Sequence, residues 1–248
     1  MSMTANATTM AYARLEITRS LRDTGFVVFG IGLPVLMYLL LTNVGGTRGV
    51  DGWRTVSMVG MAAYAALGAA LSTGTGVAED RSTGWLRQLS ITPMRPGQVV
   101  LGRAITGSVV VLPAIVVVLA AGALANGVRL DAWQWVSVAV LLWLGALPFT
   151  LLGIGNGYRL SAQTTGVVNT ALSLGLAVIG GLWFPVQMFP DWLATICEYT
   201  PAHLFAELGW SVADGNAPSA LTLVLVLVWA AFCAWYAAFS YRQHAKAA

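Results

Sequence analysis

Charge is what this chain has least of. Of its 248 residues, 9% are Asp, Glu, Lys or Arg, against 57% hydrophobic. Soluble domains carry about 25% charged residues. A soluble fold of this length has nowhere to hide so much apolar surface, so the composition points to a polytopic membrane protein. Lysine is nearly missing, the only one being Lys246. A phosphate-binding loop needs Gly-Lys-Ser/Thr. The chain therefore cannot grip ATP in that way, and any ATP-driven process needs its nucleotide site on another polypeptide. The two cysteines, Cys197 and Cys233, fit no metal spacing. Cys233 falls inside an apolar run and reads as a small buried hydrophobe. Of the two histidines, His203 reads as a capping or interfacial side chain and His244 as part of a solvated tail. No paired acidic motif or nucleophile elbow occurs, so no catalytic residue and no metal site is expected. The net charge of +3 forms no basic cluster of the kind that tracks phosphates, which argues against nucleic acid as a partner.

What is present is a series of six apolar runs, at 26–43, 56–78, 104–125, 133–158, 164–184 and 220–241. Each approaches or exceeds the roughly 20 residues that cross a bilayer. Pro34, Pro113 and Pro148 fall inside them, as bilayer helices tolerate when neighbours satisfy the freed carbonyls. Residues 1–23 lack the pattern of a signal peptide. Met10, Ala13, Ile17 and Leu21 recur there at helical spacing with Arg19 and Arg22 turned away, which suits an interfacial helix. With the N-terminus inside, Arg14, Arg19, Arg22, Arg81, Arg87, Arg95, Arg103, Arg159, Arg242 and Lys246 lie on the inner side, and Arg48, Arg54 and Arg129 on the outer. That bias places both termini in the cytoplasm and the chain in the cell membrane. The outer segment 185–218 carries Asp191, Glu198, Glu207 and Asp214 and no Lys or Arg. Its apolar pieces are too short to span, and Pro190 and Pro201 each suit a helix start or break. The expected fold is all-α: residues 26–248 form a six-span domain after an interfacial helix, with a re-entrant helical pair on the outer side between the fifth and sixth spans.

Two rows of residues stand out within the spans. Ala62, Ala66, Ala70, Gly74 and Ala78 are four apart in the second. Small residues in a row let another backbone approach, either in ordinary packing or in a mobile or dimer-facing seam. Thr165, Asn169 and Ser173 share that spacing in the fifth. An asparagine at membrane depth faces protein or a watery path. The alternatives are interhelical hydrogen bonding and the lining of a substrate path, to which Tyr64 and Ser72 of the second span could also contribute.

The polar stretch 79–98 follows the second span. Glu79 and Asp80 end that span, and Arg81, Arg87 and Arg95 come just after. A solvated loop accounts for the arginines but not for the interleaved Trp85, Leu86, Leu89 and Ile91. Leu86 and Leu89 are three apart, on one face of a short helix. An apolar knob with a charged rim is what docking to a soluble partner requires.

Glu79-Asp80-Arg81-Ser82-Thr83-Gly84-Trp85-Leu86-Arg87-Gln88-Leu89, followed by Thr92-Pro93-Met94-Arg95-Pro96, resembles the coupling segment of type-two export permeases of ATP-binding-cassette transporters, the class of the daunorubicin-exporter-like permeases. Phe184-Pro185, Phe189-Pro190-Asp191-Trp192-Leu193 and Tyr199-Thr200-Pro201-Ala202-His203 resemble the outer re-entrant segment of the same family. One departure is Glu207-Leu208-Gly209, where the family often has a basic residue. The resemblance implies two permease copies, or a permease and a homologue, embedded in membrane lipid and paired with two cytosolic ATPase subunits that hold ATP and Mg. It implies that Glu79, Asp80, Arg81, Gly84, Leu86, Arg87, Leu89, Thr92, Pro93 and Arg95 seat against the ATPase. The chain itself would carry no cofactor and would not be an enzyme. Export of amphipathic drugs, antibiotics or lipids is the expectation. A polysaccharide or lipid-carrier exporter is the alternative within transport, and a non-transport integral membrane protein the alternative outside it.

Overall fold

The computed structural model describes residues 25–43, 52–83, 96–184 and 186–247, and every regular element among them is helical. The expected interfacial helix in the N-terminal tail lies outside these residues. A π-helical stretch, Phe26–Gly32, leads into α1 (Leu33–Asn43). There follow α2 (Trp53–Ser82), α3 (Pro96–Ala125), α4 (Ala132–Gly145), α5 (Leu147–Arg159) and α6 (Ala162–Ile179). A 3-10 turn, Val186–Met188, precedes α7 (Asp191–Glu198), α8 (Pro201–Ala213) and α9 (Ala220–Ala247). Among the described residues, five helical stretches are long and apolar enough to cross a membrane: Trp53–Ser82, Gly107–Ala125, Ala132–Arg159, Ala162–Ile179 and Ala220–Gln243. Val28–Asn43 is apolar but shorter. The chain is a multi-pass membrane protein.

The apolar runs map onto these helices with two differences. The run 133–158 is one candidate span made of two helices, α4 and α5, which meet at Ala146. Pro148 sits in the first turn of α5, where a missing N–H is tolerated. The run 164–184 is helical only to Ile179. There Gly181 takes a left-handed φ of +69°. The Leu182 N–H turns back to the Ala177 carbonyl at 2.9 Å and the Gly181 N–H to Val178 at 3.2 Å. This glycine-dependent closure ends α6 even though apolar residues continue beyond it.

The centre of the bundle is α2, which packs against α1, α3, α5, α6 and α8. It can have so many neighbours because its side chains are small. Ala62, Ala66, Ala70, Gly74 and Ala78 are all buried within the single chain. The closest approach is to α5. A Cβ placed on Gly74 would lie 1.9 Å from the Gly153 carbonyl oxygen, and one on Gly157 would lie 2.3 Å from the Gly74 oxygen. The row of small residues is thus a packing seam inside the bundle, where backbones touch in place of side chains.

The segment 185–218 holds two helices, as expected from its prolines. In α8, Thr200 accepts the His203 N–H at 3.3 Å and Pro201 takes the first helical position. Ala202, Phe205 and Ala206 are buried. Phe205 lies 5.4 Å from Phe149 of α5, and the Trp210 indole donates to the Val56 carbonyl at 2.9 Å. The far end of α8 is closed by Gln134, whose amide donates to the carbonyls of Val212 and Ala213 at 3.0 and 3.1 Å. By contrast α7 is a surface helix. Its Cys197 is buried, while Trp192, Ile196 and Tyr199 are exposed on one stripe.

The two ends of the bundle differ. At one end Arg54 donates to the Asn126 carbonyl at 3.1 Å, and Asn126 bonds both Thr42 and Asn43. At the other, Arg81 donates to the carbonyls of Tyr158 and Leu160. These are C-terminal carbonyls of α5, where a cation also opposes the negative end of the helix dipole.

Candidate transport path and coupling segment

Toward its Arg81 end, α2 has one face that the bundle does not enclose. Residues 58–67 are buried on every side, but Gly68, Ser72, Thr75, Gly76 and Glu79 are exposed or half-buried. Their spacing puts them on one face. A Cβ on Gly68 or Gly76 would meet nothing within 4 Å, so this face opens onto free space. Thr75 reaches the backbone of α6, its methyl 4.0 Å from the position of a Cβ on Gly166, so the open stripe runs beside α6. Ser72 is exposed there, and its hydroxyl turns back to the Ala69 carbonyl at 2.8 Å. Small and hydroxylated residues on an outward face of a membrane helix suit a protein contact or a watery path better than lipid.

The polar row of α6 points the other way. Thr165, Asn169 and Ser173 are buried. The Asn169 amide donates to the Leu71 carbonyl of α2 at 2.8 Å, and its oxygen accepts from Asn156 of α5 at 2.7 Å. The Asn156 oxygen in turn accepts the Tyr236 hydroxyl of α9 at 2.9 Å. Four helices are joined by one chain of hydrogen bonds, each partner relieving the cost of a buried polar group. Ser173 donates within its own helix to Thr170 at 2.9 Å. Tyr64 lies two turns further along α2, buried, with its ring edge-on to Trp183 at 5.2 Å. Of the four residues named for a path, Ser72 is on the open face, and Tyr64, Asn169 and Ser173 are inside the bundle.

Of the coupling residues, Glu79, Asp80 and Arg81 are described, and Gly84, Leu86, Arg87, Leu89, Thr92, Pro93 and Arg95 lie outside the described residues. Glu79 is exposed at the end of the open stripe. Arg81 faces inward to α5 and ties the base of the segment to the bundle. On the opposite side, Cys197 and His203 approach to 3.7 Å, and His203 Nδ1 is 3.2 Å from the Gly180 carbonyl. Burial, with Glu198 adding to it, pushes the Cys197 thiol up to about 11. Among the described residues no three His, Cys, Asp or Glu converge in a group that could hold a metal ion.

Asn156, Tyr236 and the glycines of α5 were not singled out from sequence. A signal for them exists: Gly153, Gly155 and Gly157 alternate around Asn156 at membrane depth. That combination of close approach and a polar group marks a helix crossing.

Comparison with known proteins places the chain in a family. Residues 49–239 match the family model described as ABC-2 family transporter protein. A Bacillus subtilis protein named as the transport permease YvfS is 28% identical over 218 residues, covering 86% of this chain and 89% of its own length. A Mycobacterium tuberculosis protein named as the doxorubicin resistance ABC transporter permease protein DrrC is 26% identical over 252 residues, covering 96% of this chain and 89% of its own. With the family model spanning most of the chain and the bundle built from apolar membrane helices, this chain belongs to the ABC-2 family of transporter proteins, as the transmembrane permease subunit of an ATP-binding-cassette exporter.

Proposed function

We propose that the chain moves amphipathic drugs or lipids out of the cytoplasm or inner leaflet, along the open stripe of α2 beside α6. A second copy, or a homologous permease, closes that stripe into a path. Both termini are cytoplasmic, 185–218 re-enters the outer leaflet, and the whole sits in the cell membrane. The ATP and Mg are held by cytosolic ATPase subunits that seat against 79–98, so the chain contributes no hydrolytic chemistry of its own.

The observation that carries this reading is a face of α2 on which Ser72 is exposed and Gly68, Thr75 and Gly76 are half-buried, in a helix whose residues 58–67 are enclosed by the bundle. A stripe of small and hydroxylated residues suits a protein contact or a watery path better than lipid. Facing a partner permease, it gives a passage lined by small groups that a substrate can pass. The likeness to a doxorubicin resistance permease favours drugs as the cargo. Export of doxorubicin should be measured in inside-out vesicles holding the permease and its ATPase. Ser72→Trp should reduce ATP-dependent uptake at least tenfold while the protein still inserts and binds the ATPase. Undiminished uptake by Ser72→Trp would remove the stripe from the path.

A further inference from the structure

The face of α9 turned away from the bundle carries an aromatic ladder that the transport path does not use. Phe232, Trp235 and Phe239 recur at helical spacing and are 50%, 60% and 39% exposed. Their rings touch in sequence, Phe232 to Trp235 at 6.1 Å and Trp235 to Phe239 stacked at 5.5 Å. Three residues past Phe239, on the same face, comes the exposed Arg242. The neighbouring α5 ends at the same level in exposed Arg159, whose guanidinium lies 6.0 Å from the Phe239 ring and 5.9 Å from that of Tyr236. Neither α5 nor α9 contains an Asp or Glu. The other end of the ladder runs into a cavity of about 190 Å³, lined among others by Phe149, Leu172, Leu176, Phe205, Trp229 and Phe232.

We propose that this face of α9 is a binding site for an anionic phospholipid of the inner leaflet, with its phosphate at Arg159 and Arg242, one acyl chain along the ladder and the end of that chain in the cavity. The dimensions agree. From Phe232 to Arg242 is ten residues of helix, about 15 Å, which is the depth of about half a hydrocarbon core of about 30 Å. The cavity therefore sits near the bilayer midplane, where an acyl chain ends. Charge complementarity selects the headgroup, since arginines at the ends of α5 and α9 favour an anionic phosphate and neither helix carries an acid to oppose it. The aromatic rings give a flat apolar track, and the guanidinium over Phe239 keeps its own hydrogens available at the rim. The leaflet assignment rests on the cytoplasmic placement of the C-terminus under the proposed function, but the site itself does not.

The test uses the full-length permease purified in detergent and presented with an equimolar mixture of phosphatidylglycerol and phosphatidylcholine of identical chains. Retained lipid is read by native mass spectrometry. Phosphatidylglycerol should be kept in preference. The double variant Arg159→Gln/Arg242→Gln should lose that preference by roughly 30-fold, about fivefold per arginine. Arg159→Lys/Arg242→Lys should keep it. Trp235→Ala should weaken retention of both lipids, because it removes track and not charge. Equal retention of the two lipids by the wild type, or an unchanged preference in the glutamine variant, overturns the proposal. So does disulfide crosslinking of two chains through Trp235→Cys in the membrane, because a second copy would then cover the ladder. Labelling of Gln243→Cys from the outside would contradict the orientation only and would leave the detergent measurement standing.

Discussion

Asn169 tests the internal logic of the bundle, because its role inside the chain can be separated from a role in lining a path. Replacing it by alanine deletes two hydrogen bonds, one to the Leu71 carbonyl at 2.8 Å and one from Asn156 at 2.7 Å. Interhelical hydrogen bonds in membranes average about 0.6 kcal/mol and reach about 1.7 kcal/mol. The larger effect is on the partner left behind. The Asn156 amide is buried and would lose its acceptor, which costs about 1–3 kcal/mol. Together these give a loss of about 2–6 kcal/mol for Asn169→Ala. The Leu71 carbonyl should suffer little, since a carbonyl in a helix already has its intrahelical donor. The same arithmetic makes the pair non-additive. Once Asn169 is gone, Asn156→Ala removes an orphan, so the double variant should cost clearly less than the sum of the singles. Reversible unfolding of the purified permease in mixed micelles measures all three. If Asn169→Ala costs under about 0.5 kcal/mol, or if the two singles simply add, the network is not what holds α2, α5, α6 and α9 together, and Asn169 is better placed in the path.

Two further outcomes follow from close approach and from burial. Gly74→Ala would put a methyl 1.9 Å from the Gly153 carbonyl oxygen, so α2 and α5 must separate; the expected loss is at least about 3 kcal/mol, read by the same unfolding measurement, whereas Gly76→Ala, with open space around it, should be neutral. The Cys197 thiol, raised to about 11 by burial, stays protonated at neutral pH, so its thiolate is about one part in ten thousand and maleimide labelling should be slow at pH 7 and rise about tenfold per pH unit toward 11; fast labelling at pH 7 would mean that Cys197 is not enclosed by α7 and α8.

Much of this architecture was legible in the sequence because membrane helices are constrained by length and apolarity before anything else. The runs at 56–78, 104–125 and 220–241 became α2, α3 and α9, each extended at one or both ends by further helical residues. The prolines at 190 and 201 marked the starts of α7 and α8 for a local reason, their fixed φ and missing N–H. The end of α6 was not legible from hydropathy, since Leu182, Trp183 and Phe184 continue the apolar run; only the left-handed Gly181 stops the helix. The site was harder still. Spacing put Thr165, Asn169 and Ser173 on one face, but which way that face turns depends on the other helices. Asn156 and Gly153, thirteen or more residues away, decide it by meeting Asn169 and Leu71. Arg81 shows the same limit: in sequence it belongs with Arg87 and Arg95, and in the fold it caps α5.

We propose that the energy of ATP hydrolysis on the partner ATPase reaches this permease through the segment after α2. The most direct measurement of this coupling is drug-stimulated ATP hydrolysis by the ATPase co-reconstituted with the permease, wild type against Leu86→Asp/Leu89→Asp. Each leucine, if buried at the contact, contributes roughly 1.5–3 kcal/mol, so the pair accounts for a loss of at least about a hundredfold in ATPase binding. The double variant is expected to insert and stay folded, release the ATPase and show no drug-stimulated hydrolysis. Full ATPase binding with normal drug stimulation in that variant would contradict the proposal.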